Sequence, residues 1–129
     1  MRSPKHKRPT NAELEILRVV WSRGPSTVRE VFAELGRTRD TGYTTVLKLM
    51  QIMIGKGLLR RDETVRPQVY QPARPQRHTQ RQLLGDLLER AFSGSPGRLV
   101  LQALSTKKTT PEERKQIRQL LDKLERESR

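Results

Sequence analysis

Between Thr41 and Gly57 the chain reads T-G-Y-T-T-V-L-K-L-M-Q-I-M-I-G-K-G, and no Asp or Glu interrupts it. At about 100° per residue, Val46, Leu47, Leu49, Met50, Met53 and Ile54 fall on one side of a helix, with Tyr43 at its edge. The other side carries Thr41, Thr44, Thr45, Lys48, Gln51 and Gly55. A fold built on this stretch must cover the apolar side and leave a short, polar, basic side open. A merely solvated helix would more often use Glu, Lys and Gln there. Hydroxyl, amide and ammonium groups without a carboxylate suit base edges and phosphates in a major groove. The pattern predicts a recognition helix in which Thr41, Thr44, Thr45, Lys48 and Gln51 read bases. Ile52 interrupts the polar arc, and contact with a thymine methyl or packing on a neighbouring loop would each account for it.

The segments before it read as supports. Thr10 with Glu13 makes a capping box, opening a helix whose Leu14, Leu17, Val20 and Trp21 share a face and which Gly24-Pro25 stops. Thr27 with Glu30 repeats the device ahead of Val28, Val31, Phe32 and Leu35, with Gly36 as the stop. Arg37 to Asp40 is a polar turn. Three helices of this size, the third bearing the polar face, make a helix-turn-helix. After Gly57 the period changes: Leu58 to Asp62 and Gln68 to Tyr70 read as strands joined by a turn from Glu63 to Pro67. A hairpin directly after a recognition helix is a wing.

Charge points the same way. Among 129 residues the formal net charge is +13, which favours polyanionic partners, nucleic acid first and an acidic membrane surface second. Residues 1–78 carry 16 Lys+Arg against 7 Asp+Glu, and residues 79–129 carry 11 against 7, so the binding surface is expected in the front part. Phosphate contacts are assigned to Lys5, Lys7, Arg8, Arg29, Lys56, Arg60, Arg61 and Arg66. For single wing arginines the competing role is to keep a strand edge from pairing with another chain. Residues 1–9 read as a flexible basic arm, which serves equally as a solubilising tail or a phosphate-touching segment.

P-A-R-P-Q from Pro72 to Gln76 predicts a hinge, set at 73–78, between a winged helix-turn-helix domain at 10–72 and a helical domain at 79–129. In the latter, Leu83, Leu84, Leu87, Leu88, Ala91 and Phe92 form a broad arc on a helix from about Thr79. Ser95-Pro96 caps a helix with Leu99, Val100, Ala103 and Leu104, and Thr110-Pro111 caps one striped by Ile117, Leu120, Leu121 and Leu124. About 50 residues with a single aromatic, Phe92, are too few to cover these side chains alone. A homodimer is expected, with Leu83, Leu84, Leu87, Leu88, Phe92, Leu99, Val100, Ile117, Leu120, Leu121 and Leu124 at its interface. A self-folded three-helix cap on the front domain is the competing arrangement. The fold class is therefore mainly α, a winged helix-turn-helix of three helices plus a short β-hairpin, followed by a helical dimerisation domain.

Other classes fit poorly. Without cysteine there are no disulfides or thiolate metal sites, and two distant histidines, His6 and His78, do not make a metal centre. No nucleophile elbow, phosphate loop or carboxylate pair is visible, so neither catalysis nor a cofactor is expected. No apolar run reaches the roughly 20 residues of a membrane span, and the basic N-terminus is not followed by a signal-like apolar core, so a cytoplasmic protein without membrane insertion is expected. A sequence-blind basic protein coating nucleic acid is the main rival, separated by its ratio of operator to random-DNA affinity, about 1,000 or more for a specific regulator. A membrane-surface protein is a weaker rival, because its C-terminal helices carry mixed charge.

Five fragments in order, N-A-E-L-E-I-L-R-V-V-W at 11–21, T-V-R-E-V at 27–31, G-Y-T-T-V-L-K-L-M at 42–50, K-G-L-L-R-R-D-E at 56–63 and V-Y-Q-P at 69–72, resemble the penicillinase-repressor family. The resemblance runs from Thr10 to about Leu124. It implies a homodimeric transcriptional repressor on palindromic double-stranded operator DNA. It also implies, for the antibiotic-resistance members, an upstream membrane sensor-protease system that relieves repression by cutting the C-terminal domain. Where those members are cut, at an Asn-Phe bond, this chain has Gln102-Ala103, and it lacks the C-terminal cysteines of the copper-responsive branch. Ile52 stands where relatives more often carry a basic residue.

Overall fold

A computed structural model describes residues 8–129. The elements follow in the order α1 (Asn11–Arg23), α2 (Val28–Leu35), α3 (Tyr43–Gly55), β1 (Leu59–Asp62), β2 (Val69–Pro72), α4 (Gln76–Ala91), α5 (Pro96–Thr106) and α6 (Pro111–Glu127). This is a winged helix followed by further helices, the mainly α class expected. Lys5 and Lys7, and the arm to which they belong up to residue 7, lie outside the described residues.

The three capping boxes form as their spacing dictates. The Thr10 hydroxyl accepts from Glu13 N at 3.2 Å while the Glu13 carboxylate accepts from Thr10 N at 2.9 Å. Thr27 with Glu30 and Thr110 with Glu113 do the same. Each box satisfies two backbone donors that a helix start would otherwise leave orphaned. Gly24, at φ +90, ends α1 by donating to Val20 O. Gly57, at φ +76, turns the chain out of α3 so that Leu58 N reaches back to Met53 O at 2.9 Å. An L side chain rarely adopts that backbone.

Two expectations are corrected. The buried face of α1 is Glu13, Ile16, Leu17 and Val20 rather than Leu14, Leu17, Val20 and Trp21. The apolar stripe is wide because α1 meets two neighbours: Ile16 and Val20 point into the core, Leu14 borders a cleft with Gln76, Gln80 and Leu83 of α4, and Trp21 both packs against the core and lines that cleft. Further on, the helix expected from Thr79 begins at Gln76. The Pro75 carbonyl accepts from His78 N at 3.0 Å, and a proline just ahead of a helix has no N–H to leave unpaired.

The wing is antiparallel, pairing Leu59 with Pro72, Arg60 with Gln71, Arg61 with Tyr70 and Asp62 with Val69. Its other edge is covered by Ser26, which exchanges two backbone hydrogen bonds with Tyr70 at 2.8 and 2.9 Å. The core contains Ile16, Leu17, Val20, Val31, Val46, Met50, Met53, Leu59 and Tyr70. It draws on α1, α2, α3 and the hairpin, so the packed side of α3 is fixed from three directions.

The chain forms two compact units, divided at Leu83/Leu84. The first holds the core just described and the opening turns of α4, where Thr79 is buried. The second comprises the rest of α4, α5 and α6, and neither α5 nor α6 buries a residue. Leu101 is 69% exposed, Leu120 56%, Leu121 53% and Leu124 51%. Among the described residues no helix is long and apolar enough to cross a membrane.

Candidate nucleic-acid interface

Burial of Val46, Met50 and Met53 fixes the rotation of α3, with Leu47, Leu49 and Ile54 packed at the margins of the core. Thr44, Thr45, Lys48 and Gln51 then necessarily face solvent, and all four are exposed. Lys48 has no carboxylate within ion-pair distance among the described residues. Ile52 remains 43% exposed instead of packing on a loop. Thr41 lies two residues before the helix, which opens on Gly42 without a side-chain cap. Thr41 and Thr45 border a cleft with Arg39 and Asp40, where Arg39 Nη1 meets Glu15 Oε2 of α1 at 2.7 Å. The polar arc thus has two parts, one of Thr44, Lys48 and Gln51 and one of Thr41 and Thr45 that borders this cleft.

At the entry of α3, Arg29 of α2 holds its guanidinium 5.0 Å from the centre of the Tyr43 ring. Phe32 meets the same ring edge-on, with centroids 5.7 Å apart. The ring is partly exposed, so an arginine and a phenolic hydroxyl share the surface beside Thr44. Tyr43 was read from sequence only as the edge of the packing face. The signal that places it among polar groups is its position as the first residue of a helix with a glycine cap.

The wing arginines are not equivalent. Arg60 and Arg66 are exposed and have no ion-pair partner among the described residues. Arg61 is held within the hairpin: it hydrogen-bonds Tyr70, and its Nη2 lies 3.0 Å from Glu63 Oε1. The Tyr70 hydrogen bond, followed by attraction to Glu63, raises its pKa above the ordinary arginine value. Asp62 anchors the connecting loop, accepting from Thr64 Oγ1 at 2.6 Å and Thr64 N at 2.9 Å. The hydroxyl and then the backbone hydrogen bond hold its carboxyl below the usual range.

Lys56, assigned to phosphates from sequence, has a different partner. Its Nζ lies 2.6 Å from Glu13 Oε1, and the two side chains are 15% and 3% exposed. The same carboxylate oxygen closes the α1 capping box, so one buried acid ties the end of α3 to the start of α1. The signal for this was a glutamate at the i−3 and i−4 positions of Ile16 and Leu17, on the face that α1 buries.

These surfaces occur in a chain with known relatives. The family described as Penicillinase repressor matches residues 9–123. The penicillinase repressor of Bacillus licheniformis is 26% identical over 113 residues, covering 88% of each chain. With nearly its whole length matched, the chain belongs to the penicillinase repressor family, a family of transcriptional repressors.

Proposed function

We propose that the protein is a sequence-specific repressor that binds a palindromic operator as a homodimer, through the winged helix at 10–72, with residues 79–129 holding the two copies together. The observation that carries the reading is the solvent side of α3. It is acid-free, it presents Thr44, Lys48 and Gln51, and its rotation is set by a buried core on the opposite side. In this reading Thr41, Thr44, Thr45, Lys48 and Gln51 address base edges, with Ile52 offered to a thymine methyl. Arg8, Arg29, Arg60 and Arg66 lie toward phosphates, and Arg61 braces the wing. Lys5 and Lys7 extend the same basic surface in sequence.

Binding of promoter fragments from the gene's own upstream region is the first test, against random duplex as competitor. For the double variant Thr44→Ala/Lys48→Ala we expect an unchanged melting temperature and a loss of about 1 to 3 kcal/mol in operator binding for each good base contact removed. A gel shift that finds wild-type affinity for the operator would remove α3 as the reading surface.

The wing is tested by salt. Arg60→Gln and Arg66→Gln should each weaken binding to all sequences alike and lower the salt slope by about one per protomer. Arg61→Gln should instead loosen the hairpin, seen as faster amide exchange at the Arg61–Tyr70 pair. Equal slopes for wild type and both surface variants would assign Arg60 and Arg66 to solvent.

A sensor-protease system upstream would need a cut in the second unit. Gln102 and Ala103 are exposed on α5, where the antibiotic-resistance members of the family carry their cleaved bond. The Gln102-Ala103 bond departs from that Asn-Phe pattern, and digestion of the purified protein with mapping of the products tests whether it is cut.

A further inference from the structure

From Thr64 to Gly85 the chain has no acidic residue, while Arg74, Arg77 and Arg81 recur at helical spacing near the start of α4. Residues 73–78 of this stretch were expected to be a hinge, Arg81 was placed in the helical domain beyond it, and none of these arginines was assigned a role. In the structure the residues of this stretch up to Leu83, all three arginines included, belong to the first compact unit, the one that contains α3 and the wing. Gln76, Gln80 and Leu83 turn toward α1, where they border a cleft with Leu14, Arg18 and Trp21, and Thr79 is buried. Arg77 and Arg81 are therefore set, one turn apart, on the side of α4 away from α1, and Arg74 lies two residues before the helix begins. All three are exposed, and none has a carboxylate at ion-pair distance among the described residues.

We propose that Arg74, Arg77 and Arg81 form a second phosphate-binding ridge, which takes the DNA backbone outside the bases read by α3. The inference rests on the DNA-binding reading given above. Three considerations support it. Ala73 N donates to Leu58 O at 3.0 Å, so Arg74 begins beside the residue that follows the α3 turn, at the base of the wing. From Arg77 to Arg81 the helix rises about 6 Å, close to two axial steps of about 3.4 Å per phosphate on one DNA strand. Guanidinium groups also bind phosphate oxygens in bidentate fashion. An acidic protein is the other polyanion such a ridge can meet. The exposed residues between the arginines are Pro75, Gln76 and Gln80, without the large apolar centre that protein interfaces use.

Phosphate contacts are blind to sequence, so the test uses the full-length protein and a 40-base-pair random duplex, titrated by fluorescence anisotropy at several salt concentrations from about 50 to 300 mM. Arg74→Gln/Arg77→Gln/Arg81→Gln should lower the salt slope by about 2 to 3 per bound protomer. A charge-matched control in the second unit, Arg98→Gln/Lys107→Gln/Lys108→Gln, should lower it by less than about one. Circular dichroism verifies both folds, and the single variants Arg77→Gln and Arg81→Gln give about one each if the triple melts early. A wild-type slope in the ridge variant, or equal losses in the two triple variants, overturns the proposal. So does a ridge variant that keeps its slope but loses binding of a polyglutamate peptide that wild type retains, which would assign the ridge to an acidic protein. If wild type fails to bind the duplex at low salt, the DNA-binding reading falls as well, so the two failures are distinguishable.

Discussion

Replacing Leu120 and Leu124 by arginine is expected to leave a folded but monomeric protein whose affinity for a full operator is about 100- to 10,000-fold weaker. The expectation starts from α6, which is well formed locally: a capping box at Thr110, Pro111 in the first turn and good helix formers throughout. Yet none of its residues is buried, and Leu120, Leu121 and Leu124 are each more than half exposed, with Leu101 of α5 more so. Fully burying a leucine contributes about 1.5 to 3 kcal/mol, so covering the exposed half of one contributes about 1 kcal/mol, and a two-fold contact does this in both copies. Charges at positions 120 and 124 oppose that contact without touching the core, all of which lies in the first unit. Once monomeric, the two winged helices bind independent half-sites and lose the effective concentration that linkage provides. Sedimentation measures the first effect and gel shift on a two-half-site duplex the second. A monomeric wild-type protein would remove the premise, and a variant that stays dimeric would place the interface elsewhere.

How far the chain could be read in advance depended on how local each decision is. Thr10, Thr27 and Thr110 with the glutamates three residues later specify three helix starts, because both halves of a capping box lie within one turn. The rotation of α3 was also legible, since its aliphatic residues other than Ile52 have a single destination, the core. The face of α1 was legible only in part, at Leu17 and Val20, because its stripe serves the core through Ile16 and the cleft beside α4 through Leu14, and periodicity alone cannot divide such a stripe. Ser26 looked like a loop residue, yet its backbone completes the hairpin edge at Tyr70. That pairing spans a long stretch of chain and leaves no local signature. The same reason hid the partner of Lys56, 43 residues from Glu13. Pro72 to Gln76 looked like a linker because two prolines break local patterns, whereas the burial of Thr79 draws the next turns into the first unit. The exposure of Thr44, Lys48 and Gln51 followed directly from the packing of their neighbours.

The second large effect is expected at Lys56. Lys56→Ala should destabilise the protein by about 3 to 5 kcal/mol, the usual cost of leaving one member of a buried ion pair without its partner. Glu13 is 2% exposed, and its Oε1 accepts from both Lys56 Nζ at 2.6 Å and Thr10 N at 2.9 Å. Removing the ammonium leaves a carboxylate held by the cap alone, at the point where α3 leads into the wing. Removing both charges is a different experiment. In Glu13→Gln/Lys56→Met the amide oxygen still accepts from Thr10 N and the thioether fills the space of the lysine stem, so about 2 kcal/mol or more of the loss should return. Urea unfolding at matched protomer concentration measures both variants, since a dimer's stability depends on concentration. A phosphate-contacting lysine gives the opposite pattern, an unchanged unfolding midpoint with a salt slope lower by about one. That outcome for Lys56→Ala would return the residue to the DNA backbone and leave Glu13 satisfied by its cap.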